Sequence, residues 1–197
     1  MKVIKSTKSG FDFQTNVENI LLSSGLFGND IGCLSNVYSY TDLINSGVAN
    51  MGKFLSTAEE NIFLFKNYPL FNYLNEAIEF CIVNANNNKI LGECYVECKF
   101  YDVNGTAYQK LYHYLVEHAN AHRYDNSYMI LVYDGQDFYG DTKTNLQVQN
   151  IKENYIKYNF KQLVLEVNDF QNVFLKKLRA YNGDFSKIFV EMKKEGY

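Results

Sequence analysis

A mixed α/β domain, a small β-sheet flanked by α-helices, is the fold that this 197-residue sequence predicts. Three observations predict it. Hydrophobic periodicity switches repeatedly between the helical and the strand period. Strand-like and helical segments alternate through the centre and C-terminal part instead of segregating. The length suits one domain with a sizeable core and is short for two. Apolar residues are 47% and charged residues 21%, ordinary globular proportions that exclude collagen-like and charge-rich disordered chains.

The elements follow in chain order. Residues 11–24 predict a helix, with Phe13, Val17, Ile20 and Leu21 on one stripe and Gly25 as its stop. Residues 28–60 are polar and rich in Gly and Asn, with short helical pieces at most near 40–58, where Ser56 and Glu59 match a capping box. Residues 62–66 read as a short strand ending before Pro69. Ala77 to Asn84 and Ile90 to Tyr101 form two strand-like runs around the polar turn 85–89, the pattern of a hairpin. Asn104-Gly105-Thr106 opens a helix to about His122, on which Ala107, Leu111, Tyr114, Leu115 and His118 recur at helical spacing. Tyr128 to Tyr133 is a continuous apolar run of the buried-strand type, closed by Asp134-Gly135. A helix near 145–158, a strand at 162–167 and helices near 169–180 and 184–194 complete the chain.

Charge and cysteines narrow the classes. The formal net charge is −3, so no overall basic field announces a nucleic-acid partner. Residues 151–197 carry nine Lys/Arg against six Asp/Glu, which leaves +3 there and −6 elsewhere. No apolar run approaches the roughly 20 residues that span a bilayer, and the N-terminal MKVIKSTKSG lacks the apolar run of a secretory signal. Cys33, Cys81, Cys94 and Cys98 contain no C-x-x-C pair, so reduced thiols and a cytoplasmic location are expected.

Chemistry concentrates in residues 93–100. Strand alternation sends Glu93, Tyr95, Glu97 and Lys99 to one face and Cys94, Val96, Cys98 and Phe100 to the other. The second face is apolar and calls for a covering helix. The first holds two carboxylates and an ammonium, whose unpaired burial would cost several kcal/mol each. The preceding strand adds Glu79, out of pattern on a face otherwise made of Ala77, Cys81 and Val83. If Glu79 lies across from Glu97, the pair forms a hard-oxygen site suited to Mg²⁺. Lys99 would then lie beside the metal-bound water and a substrate phosphate, the arrangement for metal-assisted phosphodiester hydrolysis. The acid-x-Lys triplet also occurs at Asp141–Lys143 and Glu191–Lys193, but only Glu97-Cys98-Lys99 sits on an interior strand after a strand carboxylate. The competing reading is a solvent-facing Glu–Lys strand pair.

The segment from Leu64 to Gly135 resembles a group of PD-(D/E)XK nucleases, many from phages and mobile elements. It does so through Ile78-Glu79-Phe80, Val96-Glu97-Cys98-Lys99, Asn104-Gly105-Thr106-Ala107-Tyr108-Gln109-Lys110 and Met129-Ile130-Leu131-Val132-Tyr133-Asp134-Gly135. Gly10-Phe11-Asp12-Phe13-Gln14 is similar to the helix-opening Phe-Glu segment of related nucleases. The resemblance implies a restriction-endonuclease-like core over about 11–25 and 62–180 of one domain spanning 1–197, with 26–60 a specificity insertion or irregular helical segment. It implies Glu79, Glu97 and the Cys98 backbone carbonyl as metal ligands. Lys99 would orient or activate the attacking water and stabilise phosphorane charge. Gln109 and Lys110 would support the site or touch phosphate at a positive helix N-terminus. Three features depart from the family pattern: Ile78-Glu79 replaces Pro-Asp, Gln14 replaces the N-terminal acid and leaves Glu18 as that helix's candidate ligand, and Asn104-Gly105-Thr106 replaces Ser-Gly.

These readings converge on a Mg²⁺-dependent nuclease, with Mn²⁺ as a substitute ion and DNA as the expected partner, RNA being the alternative. An endonuclease of restriction, homing or phage type is expected, leaving 5′-phosphates by the same resemblance. A homodimer would let two sites address two strands. The alternative is a catalytically silent nucleic-acid-binding or regulatory protein on the same fold. Other features carry less. Cys94 and Cys98 lie about 13 Å apart along a strand, too far to share one ion with His118 and His122. Tyr95, Tyr101, Tyr108, Tyr112 and Tyr114 read as core and rim more than as stacking platforms. Lys176, Lys177 and Arg179 fit either phosphate contact or a solvated helix face.

Overall fold

The computed structural model describes residues 8–26, 32–33, 62–69, 77–86, 89–99, 126–133, 149–150, 152–154 and 156–197. Helix α1 (Lys8–Ser23) precedes six strands: β1 (Gly32–Cys33), β2 (Ile62–Pro69), β3 (Ala77–Asn86), β4 (Lys89–Lys99), β5 (Ser127–Tyr133) and β6 (Gln162–Glu166). They form one mixed sheet in the order β1-β2-β3-β4-β5-β6. β2, β3 and β4 make an antiparallel meander, whereas β5 and β6 run parallel to β4. After β6 comes helix α2, which opens as an α-turn (Val167–Asp169), widens to a π-helix (Phe170–Phe174) and returns to α (Leu175–Ala180). Helix α3 (Phe185–Lys194) follows. The expected mixed α/β architecture is therefore present.

Both faces of the sheet are buried, as central parallel strands require. On one face Phe80, Ile82, Cys94, Val96, Ile130, Val132, Leu163 and Leu165 form a single core with the apolar stripes of α1, α2 and α3. α1 supplies Phe13, Val17 and Leu21, spaced at four residues so that they stack on one side of the helix. α2 supplies Phe170 and Phe174, whose rings stack at 5.4 Å, and α3 supplies Phe189, which lies 4.8 Å from the Tyr128 ring. The other face carries Cys81, Tyr95, Met129, Leu131 and Val164, each at most 2% exposed. Both faces leave water, but only the second carries acidic side chains.

Several boundaries differ from the sequence expectation, each for a local reason. β2 does not stop before Pro69 but runs through it, with Pro69 paired to Ala77. β1 pairs only with Phe65 and Lys66, so among the described residues β2 is an edge at Pro69, where a missing N–H costs no ladder bond. β3 continues past Asn84 to Asn86, and a register shift there leaves exposed Leu91 as the extra residue of a bulge. A run of Asn has no hydrophobic alternation, so its backbone pairing is invisible in the sequence. β6 ends at Glu166, and α2 begins at Val167 instead of near 169. The helix expected near 145–158 is helical at 149–150 and 152–154 and then tightens to a 3₁₀ turn at Ile156–Tyr158. The helix expected over 104–122, the segment 34–61 and Asp134-Gly135 lie outside the described residues.

Turns fix how the helices meet the sheet. α1 ends where the Ser24 hydroxyl donates to the Leu21 carbonyl and Gly25 takes φ +65°. The Arg179 guanidinium of α2 donates to the Ser24 carbonyl, tying the two helices together. Between α2 and α3, the Asn84 side-chain amide donates to the Asn182 carbonyl at 3.1 Å, and Gly183 sits at φ +74° against it. Asp184 then caps α3 by accepting from the Lys187 N–H. Among the described residues no helix is long and apolar enough to cross a membrane.

A methyl group at Gly183 would lie 2.9 Å from Asn84 Nδ2, in a backbone region that L-residues avoid. Gly183→Ala is expected to lose about 2–3 kcal/mol from left-handed strain and the displaced amide bond. Gly196→Ala, at φ +94° with open space around it, is expected to lose less, through strain alone. Urea unfolding of the two variants against wild type measures the difference.

Candidate functional site

The site forms where the central ladder ends. β3 and β4 pair from Asn86↔Lys89 to Phe80↔Val96 and no further. Beyond that point β3 stays with β2 as far as Ala77, and β4 stays with β5 as far as Lys99. The hairpin therefore opens while each strand keeps its outer neighbour. Glu79 Oε2 fills the opening and accepts the Cys98 backbone N–H at 2.9 Å, in place of a strand carbonyl. Extending the register by one residue sets Glu79 opposite Glu97, the placement on which the sequence argument depended.

Lys99 joins the two acids. Its ammonium forms an ion pair with Glu97 Oε1 and lies 3.9 Å from Glu79 Oε1. Glu97 is 2% exposed, which rules out a solvent-facing Glu–Lys pair, while Lys99 and Glu79 keep 14% and 22% of their side-chain surface. The inner carboxylate is thus sealed and the outer pair is open to one side. Glu97 Oε2 is buried and, among the described residues, meets no hydrogen-bond donor. Burial, reinforced by the adjacent Glu79 and only partly offset by Lys99, pushes the Glu97 carboxyl from its ordinary 4.5 up to about 9. An ion pair and a neutral acid are competing descriptions of Glu97, and desolvation favours the neutral one. Two carboxylates and one ammonium leave one excess negative charge, which a single proton cancels.

Such a site suits a hard cation. Among the described residues no group of three or more His, Cys, Asp or Glu side chains is placed to hold a metal ion. Mg²⁺ needs fewer, since it keeps several waters and takes one or two carboxylates. The Cys98 carbonyl is oriented to complete the set. Glu93 N–H donates toward β5 at Asn126, and Cys98 N–H, five residues on, donates toward Glu79 on the β3 side. In a strand the N–H and C=O of one residue share a direction, so the Cys98 carbonyl also faces the opening. The Cys98 thiol points the other way, into the helix-side core, where burial raises its pKa. Any contribution from Cys98 is therefore through its backbone.

The remaining sequence candidates divide. Gln109 and Lys110 lie outside the described residues. Glu18 is not a ligand: it bonds Lys66 at 2.6 Å, and Lys66 aligns with Phe80 on the helix-covered face, opposite the acids. Gln14, one turn earlier on α1, shares that helix. Glu93 is buried on the acidic face and accepts from the Tyr95 hydroxyl at 2.8 Å, but it lies about 13 Å along the strand from Glu97. Cys81, Cys94 and Cys98 are free, buried thiols.

One row escaped the sequence reading. Lys99, Tyr133 and Glu166 are the last residues of the three parallel strands β4, β5 and β6, and the register aligns them side by side. Open α/β sheets bind ligands at the carboxyl ends of their strands, so this row places the acids at the expected edge. Lys152 adds to it, with Nζ 6.0 Å from the Tyr133 ring centroid. Only the strand register reveals the row; no local pattern in the sequence signals it.

No family model, no curated protein and no solved structure matches the chain.

The Glu97 environment has a measurable consequence without metal. A carboxyl whose folded value exceeds its unfolded value takes up a proton on folding, so its stabilising effect is full below pH 4.5 and is lost as pH rises toward 9. Chemical denaturation in a chelator across this range is expected to show falling stability for wild type. Glu97→Gln, which cannot ionise, is expected to flatten that fall and to be the more stable protein at pH 8.

Proposed function

We propose that the chain is a metal-dependent nuclease with a restriction-endonuclease-like core, in which Glu79, Glu97 and the Cys98 carbonyl hold Mg²⁺ and Lys99 serves the attacking water. One observation carries the reading: a single ammonium touches two carboxylates from adjacent strands at the point where their ladder opens. The order of β3, β4 and β5, with Glu79 within β3 and Glu97-Cys98-Lys99 closing β4, supports the resemblance drawn from the sequence.

Charge balance favours a phosphodiester. The acids and Lys99 together carry one excess negative charge, a divalent cation turns this to one positive, and a phosphodiester monoanion returns it to zero. A bound Mg²⁺ would polarise the phosphate and lower the pKa of its water. The chain's own groups do the rest. Glu79 and Glu97 would hold the ion, Glu97 in its ionised form. Lys99, beside both acids, would orient the water and neutralise charge on the phosphorane oxygens. DNA is the proposed substrate, with RNA distinguished by assay. A silent nucleic-acid-binding protein is the competing reading, and intact Glu79, Glu97 and Lys99 weigh against it.

Cleavage of single- and double-stranded DNA and RNA in Mg²⁺ or Mn²⁺ tests the proposal. Wild type is expected to cut in metal and not in chelator. Glu97→Ala and Lys99→Ala are expected to lose on the order of 10²-fold or more in kcat. Full activity in both variants, or none in wild type on any of these substrates, would overturn the assignment.

A further inference from the structure

The edge that carries Lys99 extends beyond the two acids. Tyr133 is one strand over from Lys99 in register, on the same face of the sheet, and one strand spacing is about 4.8 Å. The Lys152 ammonium stands over the Tyr133 ring at 6.0 Å from its centroid. Lys152 is half-buried: loss of hydration lowers its pKa, Asp169 and Glu166 only partly offset this, and its charge in turn helps to lower the pKa of Lys193. Lys193 is anchored to the Ile156 carbonyl at 2.8 Å, one helical turn after Lys152. A partly desolvated lysine beside an aromatic ring is a costly arrangement in a protein that needs only a solvated surface there. A further anion would relieve it. The position is set off from Lys99 by one strand and one ring.

We infer that Lys152, held over Tyr133, forms a second phosphate-contacting subsite beside the Glu79–Glu97–Lys99 site, so that the substrate is a polynucleotide gripped at a phosphate other than the scissile one. This inference rests on the nuclease reading for its placement. It concerns binding, however, and can be tested separately from cleavage. Lys152 makes a charge-assisted contact to a backbone oxygen, and Tyr133 fixes the lysine's direction while presenting an edge to the neighbouring nucleotide.

The test uses the full chain with Lys152→Gln and the conservative Lys152→Arg. Binding is read by fluorescence anisotropy of a labelled DNA oligonucleotide with Ca²⁺ in place of Mg²⁺, over a series of salt concentrations. Hydrolysis is read on the oligonucleotide and on bis(p-nitrophenyl) phosphate, a diester with a single phosphate. Lys152→Gln is expected to weaken oligonucleotide binding roughly 10-fold and to reduce the salt slope by about one. Its loss in kcat/KM on the oligonucleotide is expected to be in KM and to exceed several-fold its loss on the small diester, while Lys152→Arg retains most of the affinity. Unchanged affinity and salt slope in Lys152→Gln would overturn the inference, and so would equal losses on both substrates. If wild type hydrolyses neither substrate, the nuclease reading fails and the anisotropy series alone decides the subsite.

Discussion

The opening of the β3–β4 ladder past Phe80 and Val96 is the constraint from which the site follows. A backbone N–H left in the interior without an acceptor is costly, so the Cys98 N–H has to find one where the strand carbonyls have parted. Glu79 provides it. A carboxylate in that role is also a charge brought to the mouth of a sealed sheet, directly beside Glu97. Lys99 then has a structural reason to be there, whether or not a cation ever enters. The hydrogen bond that repairs the ladder and the charge cluster that invites a metal are thus one arrangement.

What holds the opening in place is the contrast between the two faces. Behind the acids, Cys94, Val96 and Cys98 pack into a core shared with α1, α2 and α3, so β4 cannot shift to relieve the strain of its other side. Alternation converts that rigidity into positioning: Glu97 lies between Val96 and Cys98, both anchored in that core. A looser sheet would let Glu97 swing to water and ionise freely. Here burial on its own face favours the neutral acid where no cation is bound.

The sequence made part of this legible and withheld the rest for physical reasons. The sign pattern of residues 93–99 is visible because strand alternation is strict and charges are conspicuous among apolar neighbours. Glu79 stands out for the same reason. Register is a different matter, since it depends on turns and bulges: nothing local shows that Lys99, Tyr133 and Glu166 end in one row, or that Lys152 reaches Tyr133. Glu18 was an open candidate until its partner Lys66 placed it on the opposite face. Pro69 suggested a strand end because the cost of a missing N–H depends on whether the strand is an edge, which a single segment cannot reveal. Gln109 and Lys110 remain expectations from resemblance, outside the described residues.

The π-turn in α2 carries a consequence of another kind. Between Phe170 and Phe174 the helix holds one residue more than an α-turn needs, and the Leu175 N–H reaches back to the Phe170 carbonyl. Phe170 and Phe174 before that point, and Leu175 and Leu178 at and after it, all face the same core. Deleting one residue there would restore regular winding and leave everything downstream close to its present phase, because the wide turn absorbs the extra residue. Leu178 would stay on the core side and Arg179 near the end of α1, whereas one further residue in the regular part would turn both by about 100°. This stretch should therefore tolerate the loss of one residue better than the gain of one, and related chains with a regular helix there should be one residue shorter.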